Sequence, residues 1–285
     1  MKRITHFALF IFGMLTLAAC QDVVDIDLPD SSPLLVVEGR ITNRDSVGVR
    51  VTTTAPYFSQ ARTPRIDGAT VRLIEDGVEV GTLAEDSAGF YRLDYLGVPG
   101  RKYKIRVEIP DGHPLIPGGT FESITEELRP VPPIDSIYAE FIEDEPPFDD
   151  GWYPFYMFTD LPGVGDRYRF KEWRNDTAMV NPGDIAIFQD QFWDGRSFDN
   201  VDLPAVRFTG SPKPQGTKYR IELSSISLRF FDYLNLLVSQ TAQVGGTFDP
   251  PPAPLIGNMR STDEPDRLVL GFFHASSIST AEVVL

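Results

Sequence analysis

Tyr103-Lys104-Ile105-Arg106-Val107-Glu108-Ile109 is the stretch on which the fold class turns. Its four apolar residues fall on one face and its three charges on the other, the period-two pattern of a strand half in a core and half in water. On its N-terminal side, 34–39, 47–54, 70–75 and 78–83 are rich in β-branched residues, with the turn Asp76-Gly77 between the last two. Turn signals recur at Asp67-Gly68, Ala88-Gly89, Pro99-Gly100 and Asp111-Gly112. Short strands at this spacing predict an antiparallel β-sandwich of about seven strands over residues 34–112.

On the C-terminal side, Pro114, Pro117, Pro130, Pro132 and Pro133 mark 113–133 as a Pro/Gly-rich linker. Residues 134–285 then carry further strand patterns at 152–158, 167–173, 205–209 and 218–223, and a buried strand at 268–273. One helix is expected near 225–243. Phe230, Leu234, Leu237 and Thr241 share a face, Ser224 or Ser225 caps the start and Gly245-Gly246 stops the end. The expected fold class is mainly β: an N-terminal antiparallel β-sandwich, then a larger β-rich domain with one packed α-helix.

The first twenty residues, MKRITHFALFIFGMLTLAAC, carry a separate signal. Basic Lys2 and Arg3 precede an apolar run from Phe7 to Leu17, and Cys20, the single cysteine of the chain, follows small residues. This order predicts an export signal over 1–19. Leu17, Ala18 and Ala19 form a lipobox before Cys20, whose thiol would be acylated and which would become the mature N-terminus. Two or three acyl chains hold a protein on a bilayer almost permanently. No other stretch approaches the ~18 apolar residues of a spanning helix, so the membrane is reached through the lipid alone. A lone cysteine also rules out internal disulfides.

Net charge is −15, and removing residues 1–19 takes away two basic residues and no acidic one, giving −17. So acidic a chain is a poor partner for nucleic acid. Residues 20–33 form an acidic tether with Asp22, Asp25, Asp27 and Asp30, either a solvated spacer or an export tag.

Chemistry is sparse. The sequence has no G-x-S-x-G, H-E-x-x-H, Walker loop or G-x-G-x-x-G, so no catalytic residues and no cofactor are expected. Past the signal there are only two histidines, His113 and His274, too few for a usual zinc site. Asp144, Asp149 and Asp150 are the best metal candidates, but Pro146-Pro147 interrupts the run and calcium-loop spacing is missing. A solvated charge run is the preferred reading. Aromatic residues crowd 148–198, and Trp152, Tyr153, Trp173, Phe192 and Trp193 are the candidates for ligand or partner contact. The competing reading places these rings in a core, with Trp193 the one most readily put on a surface.

Two resemblances follow from these residues. Gly68-Ala69-Thr70-Val71, Gly89-Phe90-Tyr91 and Gly100-Arg101-Lys102-Tyr103 resemble, in that order, the carboxypeptidase-regulatory or transthyretin-like β-sandwich. Val-Asp-Ile-Asp-Leu-Pro at 24–29, Leu-Val-Val-Glu-Gly-Arg-Ile-Thr-Asn at 35–43, Tyr233-Leu234, Phe-Asp-Pro-Pro at 248–251, Ile256-Gly257-Asn258 and Leu270-Gly271-Phe272-Phe273 resemble the Bacteroidota lipoprotein family called domain of unknown function 4249. That resemblance implies an outer-membrane lipoprotein acting beside a TonB-dependent receptor in nutrient capture, with the acidic tether suited to surface export. A stand-alone glycan- or peptide-binding lipoprotein, an enzyme and a structural surface protein are the rival readings.

Overall fold

The computed structural model describes residues 32–56, 61–146, 149–199, 212–241 and 255–285. In chain order the first eight strands are β1 Leu35–Thr42, β2 Val47–Thr53, β3 Thr70–Glu75, β4 Val78–Ser87, β5 Phe90–Leu93, β6 Lys102–Ile109, β7 Gly119–Ser123 and β8 Glu126–Glu127. Next come β9 Ile134–Ile142, β10 Gly151–Thr159, β11 Arg167–Arg174, β12 Thr177–Ala178, β13 Ala186–Gln189, β14 Ser197–Asp199 and β15 Lys218–Ser225. Helix α1 spans Leu228–Thr241, and β16 Met259–Ser261, β17 Val269–Leu270, β18 Phe273–Ser276 and β19 Ile278–Val284 complete the chain. Among the described residues the fold is mainly β, with large sheets and one packed helix.

The deciding strand behaves as its pattern demands. In β6 Tyr103, Ile105, Val107 and Ile109 are buried, while Lys104, Arg106 and Glu108 keep contact with water. Asp76 and Gly77 both have positive φ, 47° and 87°, as a two-residue type I′ hairpin between β3 and β4 requires. β4 pairs with β3 through its first half and with β5 through its second, so it carries the sheet around a corner. One apolar cluster gathers Val37, Val49, Val71, Leu73, Tyr91, Tyr103, Val107 and Phe121 from both halves of that sheet. Tyr91 is buried with its hydroxyl donating to the Ile66 carbonyl at 2.9 Å, which removes the cost of a buried polar group.

This sheet has eleven strands among the described residues rather than seven, and it runs past the expected domain limits. The proline-rich stretch 113–133 is no spacer. It contains β7 and β8, both paired with β6, and it supplies Ile116, Phe121 and Leu128 to the first core. Three apolar side chains in core outweigh the turn signal of the prolines. β16, β17 and β18 then return from the far end of the chain, β16 onto β7 and the other two onto β1. Residues 33–285 accordingly form a single compact unit.

Two smaller sheets, β14-β10-β9 and one built on β11, β15 and β19, enclose a ring-rich core of Tyr156, Phe158, Tyr168, Phe170, Phe198 and Tyr219. Much of the aromatic crowding in 148–198 is spent here. The expected buried strand at 268–273 is broken into β17 and β18 by Gly271, at φ +95°. The helix starts three residues later than Ser225. Ser225 is still a strand residue whose hydroxyl donates to the Arg129 carbonyl at 2.6 Å, and Ser227 caps the helix by accepting the Phe230 N–H at 3.2 Å. Its buried face is Phe230 and Leu234. Among the described residues no helix is long and apolar enough to cross a membrane. The lipobox residues Leu17, Ala18 and Ala19, the lipidation candidate Cys20, the expected strand 205–209 and the Gly245-Gly246 helix stop lie outside the described residues.

Candidate functional site

β11 shows how a site grows from alternation. Tyr168, Phe170 and Glu172 are buried on one face of the strand, so Arg169, Lys171 and Trp173 must project from the other. β15 repeats the pattern, with Tyr219, Ile221 and Leu223 in the core and Arg220 and Glu222 on the face shared with Lys171 and Trp173. Register sets the partners. Trp173 lies opposite Arg220, whose guanidinium carbon is 4.5 Å from the indole centre, and Lys171 lies opposite Glu222 at 3.8 Å.

The first sheet presents its own non-core face through Glu38 and Arg40 of β1, Arg50 of β2 and Phe90 and Arg92 of β5. The two faces are brought together by one run of chain. β18 pairs with β1, β19 pairs with β15, and only Ser277 separates them. Ser277 donates its N–H to Ser225 Oγ at 3.2 Å and accepts the Ser225 N–H at 3.0 Å. Asn43 Oδ1 takes the Ile278 N–H at 2.7 Å, which ties the β1–β2 turn to the same junction. Helix α1 closes one side with Phe230, Tyr233, Leu234 and Leu237.

The result is a cleft of about 1220 Å³ between strand faces. Seven basic residues line it, against the acidic Glu38, Asp45 and Glu222. Glu38 is paired with Arg50, and Asp45 with Arg40 at 2.7 Å. Glu222 lies 3.8 Å from Lys171 and 4.0 Å from Arg40. No carboxylate among the described residues lies within 4.0 Å of Arg169, whose Nε is buried without a hydrogen-bond partner. Burial lowers Arg169 to about 10, and burial next to Arg169 lowers Lys171 to about 8. At the back of the cleft His274 stacks on Phe230 with ring centres 4.1 Å apart and shares a 2.9 Å hydrogen bond with Ser276 Oγ. Burial, reinforced by Lys171, Arg169 and Arg40, drives His274 well below its usual pKa, so the imidazole is neutral. A neutral histidine adds no charge to a site already rich in cations.

The sequence-predicted contact residues do not meet in one place. Trp173 alone lines the cleft. Trp152 is half-buried on β10 and packs edge-on against Phe141 at 5.6 Å. Tyr153 is 4 % exposed, and its hydroxyl donates to the Asp149 carbonyl, a turn-holding role rather than a contact platform. Phe192 is 80 % exposed, whereas Trp193 leans on Phe198 at 5.8 Å and is 36 % exposed. On the outer face of β9 and β10, Tyr138 and Phe155 stack at 5.4 Å, whereas Phe141 and Trp152 pair on the opposite face, where Trp152 packs against the ring-rich core.

Asp144, Asp149 and Asp150 sit on the exposed β9–β10 turn, where the Asp150 carboxylate accepts the Asp144 N–H at 2.9 Å. The carboxylates that converge as a metal site would require are others, Asp160, Asp190 and Asp194, within 4.8 Å of one another. Their oxygens are already engaged by loop amides: Gly195 N–H on Asp160, Gly165 N–H on Asp190 and Gly163 N–H on Asp194. The trio pins loops together. Neither it nor the cationic face of β11 is visible in the sequence as a cluster, because three loops and two sheets must fold before either exists. Arg169 and Lys171 alternating with Tyr168 and Phe170 were the available signal for the cleft.

No curated protein matches the chain. The family model described as Domain of unknown function (DUF4249) matches residues 21–282, and the chain belongs to that family.

Proposed function

We propose that this chain is an exported lipoprotein of the Bacteroidota type, anchored to the outer membrane through Cys20, that holds a ligand in the β1/β11 cleft. It hands that ligand to, or receives it beside, a TonB-dependent receptor. The cleft carries the reading: it exceeds the ~300–1,000 Å³ of a drug-sized ligand site and is walled by cations and rings. Half-buried Arg169, with no carboxylate within 4.0 Å among the described residues and a buried Nε that meets no acceptor, costs stability, a cost that a binding site explains and a purely structural sheet does not. The order of buried Tyr91 and Tyr103 supports a transthyretin-like sandwich for the N-terminal part. The exposed rings of Tyr138 and Phe141 suit contact with a receptor.

This reading makes the chain a binder rather than a catalyst. The test is a mild-detergent pull-down of full-length tagged protein from its native envelope, with Cys20→Ser as the unanchored control. Near-stoichiometric recovery of one TonB-dependent receptor supports the accessory role; recovery of the protein alone removes it. Radiolabelled palmitate entering the wild type and not Cys20→Ser checks the anchor.

A further inference from the structure

The charge inside the cleft opposes the charge of the whole molecule. The chain is net −15, yet seven of the ten ionisable lining residues other than His274 and Tyr233 are cations. Glu38 and Asp45 each have an arginine, and Glu222 alone faces Lys171, Arg40 and Arg169, whose guanidinium carbon lies 6.0 Å from the Phe230 ring centre. Arg220 spends its planar face on Trp173 and has no carboxylate within 4.0 Å among the described residues. The cleft therefore lacks several negative charges, and its low-dielectric walls concentrate that deficit.

We propose that the ligand of the cleft is a short acidic oligosaccharide, bound through two or more carboxylate or sulfate groups to Arg169, Lys171 and their neighbours. This rests on the reading of the chain as a binding protein. Guanidinium groups match oxyanions through paired N–H donors, and sugar rings lie on aromatic faces such as that of Phe90, which lines the cleft and is 37 % exposed. A peptide is less suited. The cleft is lined by strand faces whose backbones are already paired: β1 lies between β2 and β18, and β15 between β11 and β19. Among the described strands that line the cleft only β18 and β19, which carry His274, Ile278 and Thr280, end their sheets, so most of the wall offers side chains rather than a strand edge for β-augmentation. Length is limited as well, because a long polyanion leaving the cleft would meet the acidic exterior of the protein.

Calorimetric titration of the soluble mature chain tests this with four probes: trigalacturonate, a heparin-derived tetrasaccharide, neutral trigalactose and tetra-glutamate. The expected result is binding of an acidic saccharide at least tenfold tighter than trigalactose, with the first two probes separating carboxylate from sulfate recognition. Arg169→Met should weaken that binding at least tenfold while leaving the thermal midpoint unchanged or higher, since it removes a half-buried charge with no carboxylate within 4.0 Å among the described residues and keeps an apolar contact with Phe230. Glu222→Gln should tighten binding about threefold. Equal binding of trigalactose, insensitive to Arg169→Met, overturns the acidic assignment and leaves a ligand-binding cleft standing. Tighter binding of tetra-glutamate overturns the saccharide class, and binding of none overturns the proposal. Receptor co-purification is a separate readout, unaffected by any of these results.

Discussion

The side chain of Asn258 grips the backbone of Phe273 from both sides: Asn258 Nδ2 donates to the Phe273 carbonyl at 2.8 Å, and the Phe273 N–H donates to Asn258 Oδ1 at 2.9 Å. Asn258 is 2 % exposed, and its own carbonyl accepts the Ile124 N–H at 2.8 Å. One residue thus locks β18 beside β1 and joins both to the β7–β8 turn. β18 in turn carries His274 into the cleft. Asn258→Ala should leave two buried backbone groups unpaired and cost about 2–4 kcal/mol. The urea midpoint should fall with little change in slope; an unchanged midpoint would mean that water replaces the carboxamide.

Gly257 and Gly271 touch at the same junction. A methyl on Gly257 would overlap the Gly271 carbonyl, and one on Gly271 would overlap the Val37 carbonyl at a φ of +95°. Gly271→Ala should therefore destabilise the fold by several degrees in thermal midpoint. Gly48→Ala is the contrasting case, because nothing lies within 4 Å of the added carbon. It should be neutral or slightly stabilising, and equal losses for the two would refute a packing role for Gly271.

Binding should weaken with rising pH. Lys171, at about 8 in the free protein, must be protonated to hold an anion, and a bound anion raises its pKa. Affinity for an acidic ligand should be flat below pH 8. It should then drop by up to tenfold per pH unit until the pKa of the complex is passed. Arg169, at about 10, stays largely charged over this range, and His274 stays neutral. Lys171→Arg should abolish the drop, as followed by titrations at pH 7, 8 and 9.

Acid stability tests the neutral His274. Its folded pKa lies well below the ordinary 6.5, so the unfolded chain takes up a proton that the folded chain refuses. The contribution is whole above pH 6.5 and is lost as pH falls below it, by at most about 1.4 kcal/mol per pH unit. Unfolding free energies at pH 7.5 and 5.0 should differ less in His274→Gln than in the wild type. An identical difference in the two proteins would show that the folded imidazole protonates freely.

Much of the fold was legible because alternation is a local property. Tyr103 to Ile109, Asp76-Gly77 and Lys218 to Leu223 each specify their structure within a few residues. The domain limits were not, because β16 to β18 close a sheet that begins more than 200 residues earlier. No local pattern reveals that pairing. The site was legible by halves. Trp173 is a contact candidate from sequence, whereas Arg169 and Lys171 are only part of a strand pattern there, and the passage through Ser277 is what turns their side toward β1. Of the five aromatic candidates, Trp173 reached the cleft, while Tyr153 went to a turn beneath the surface.

Hydrogen–deuterium exchange of the soluble chain, with and without a saturating acidic oligosaccharide, tests the cleft most directly. The account predicts protection in 38–50, 169–173 and 220–224 and in α1, with little change across 134–159. Protection confined to the ring-covered face of β9 and β10, or no protection anywhere, would contradict it.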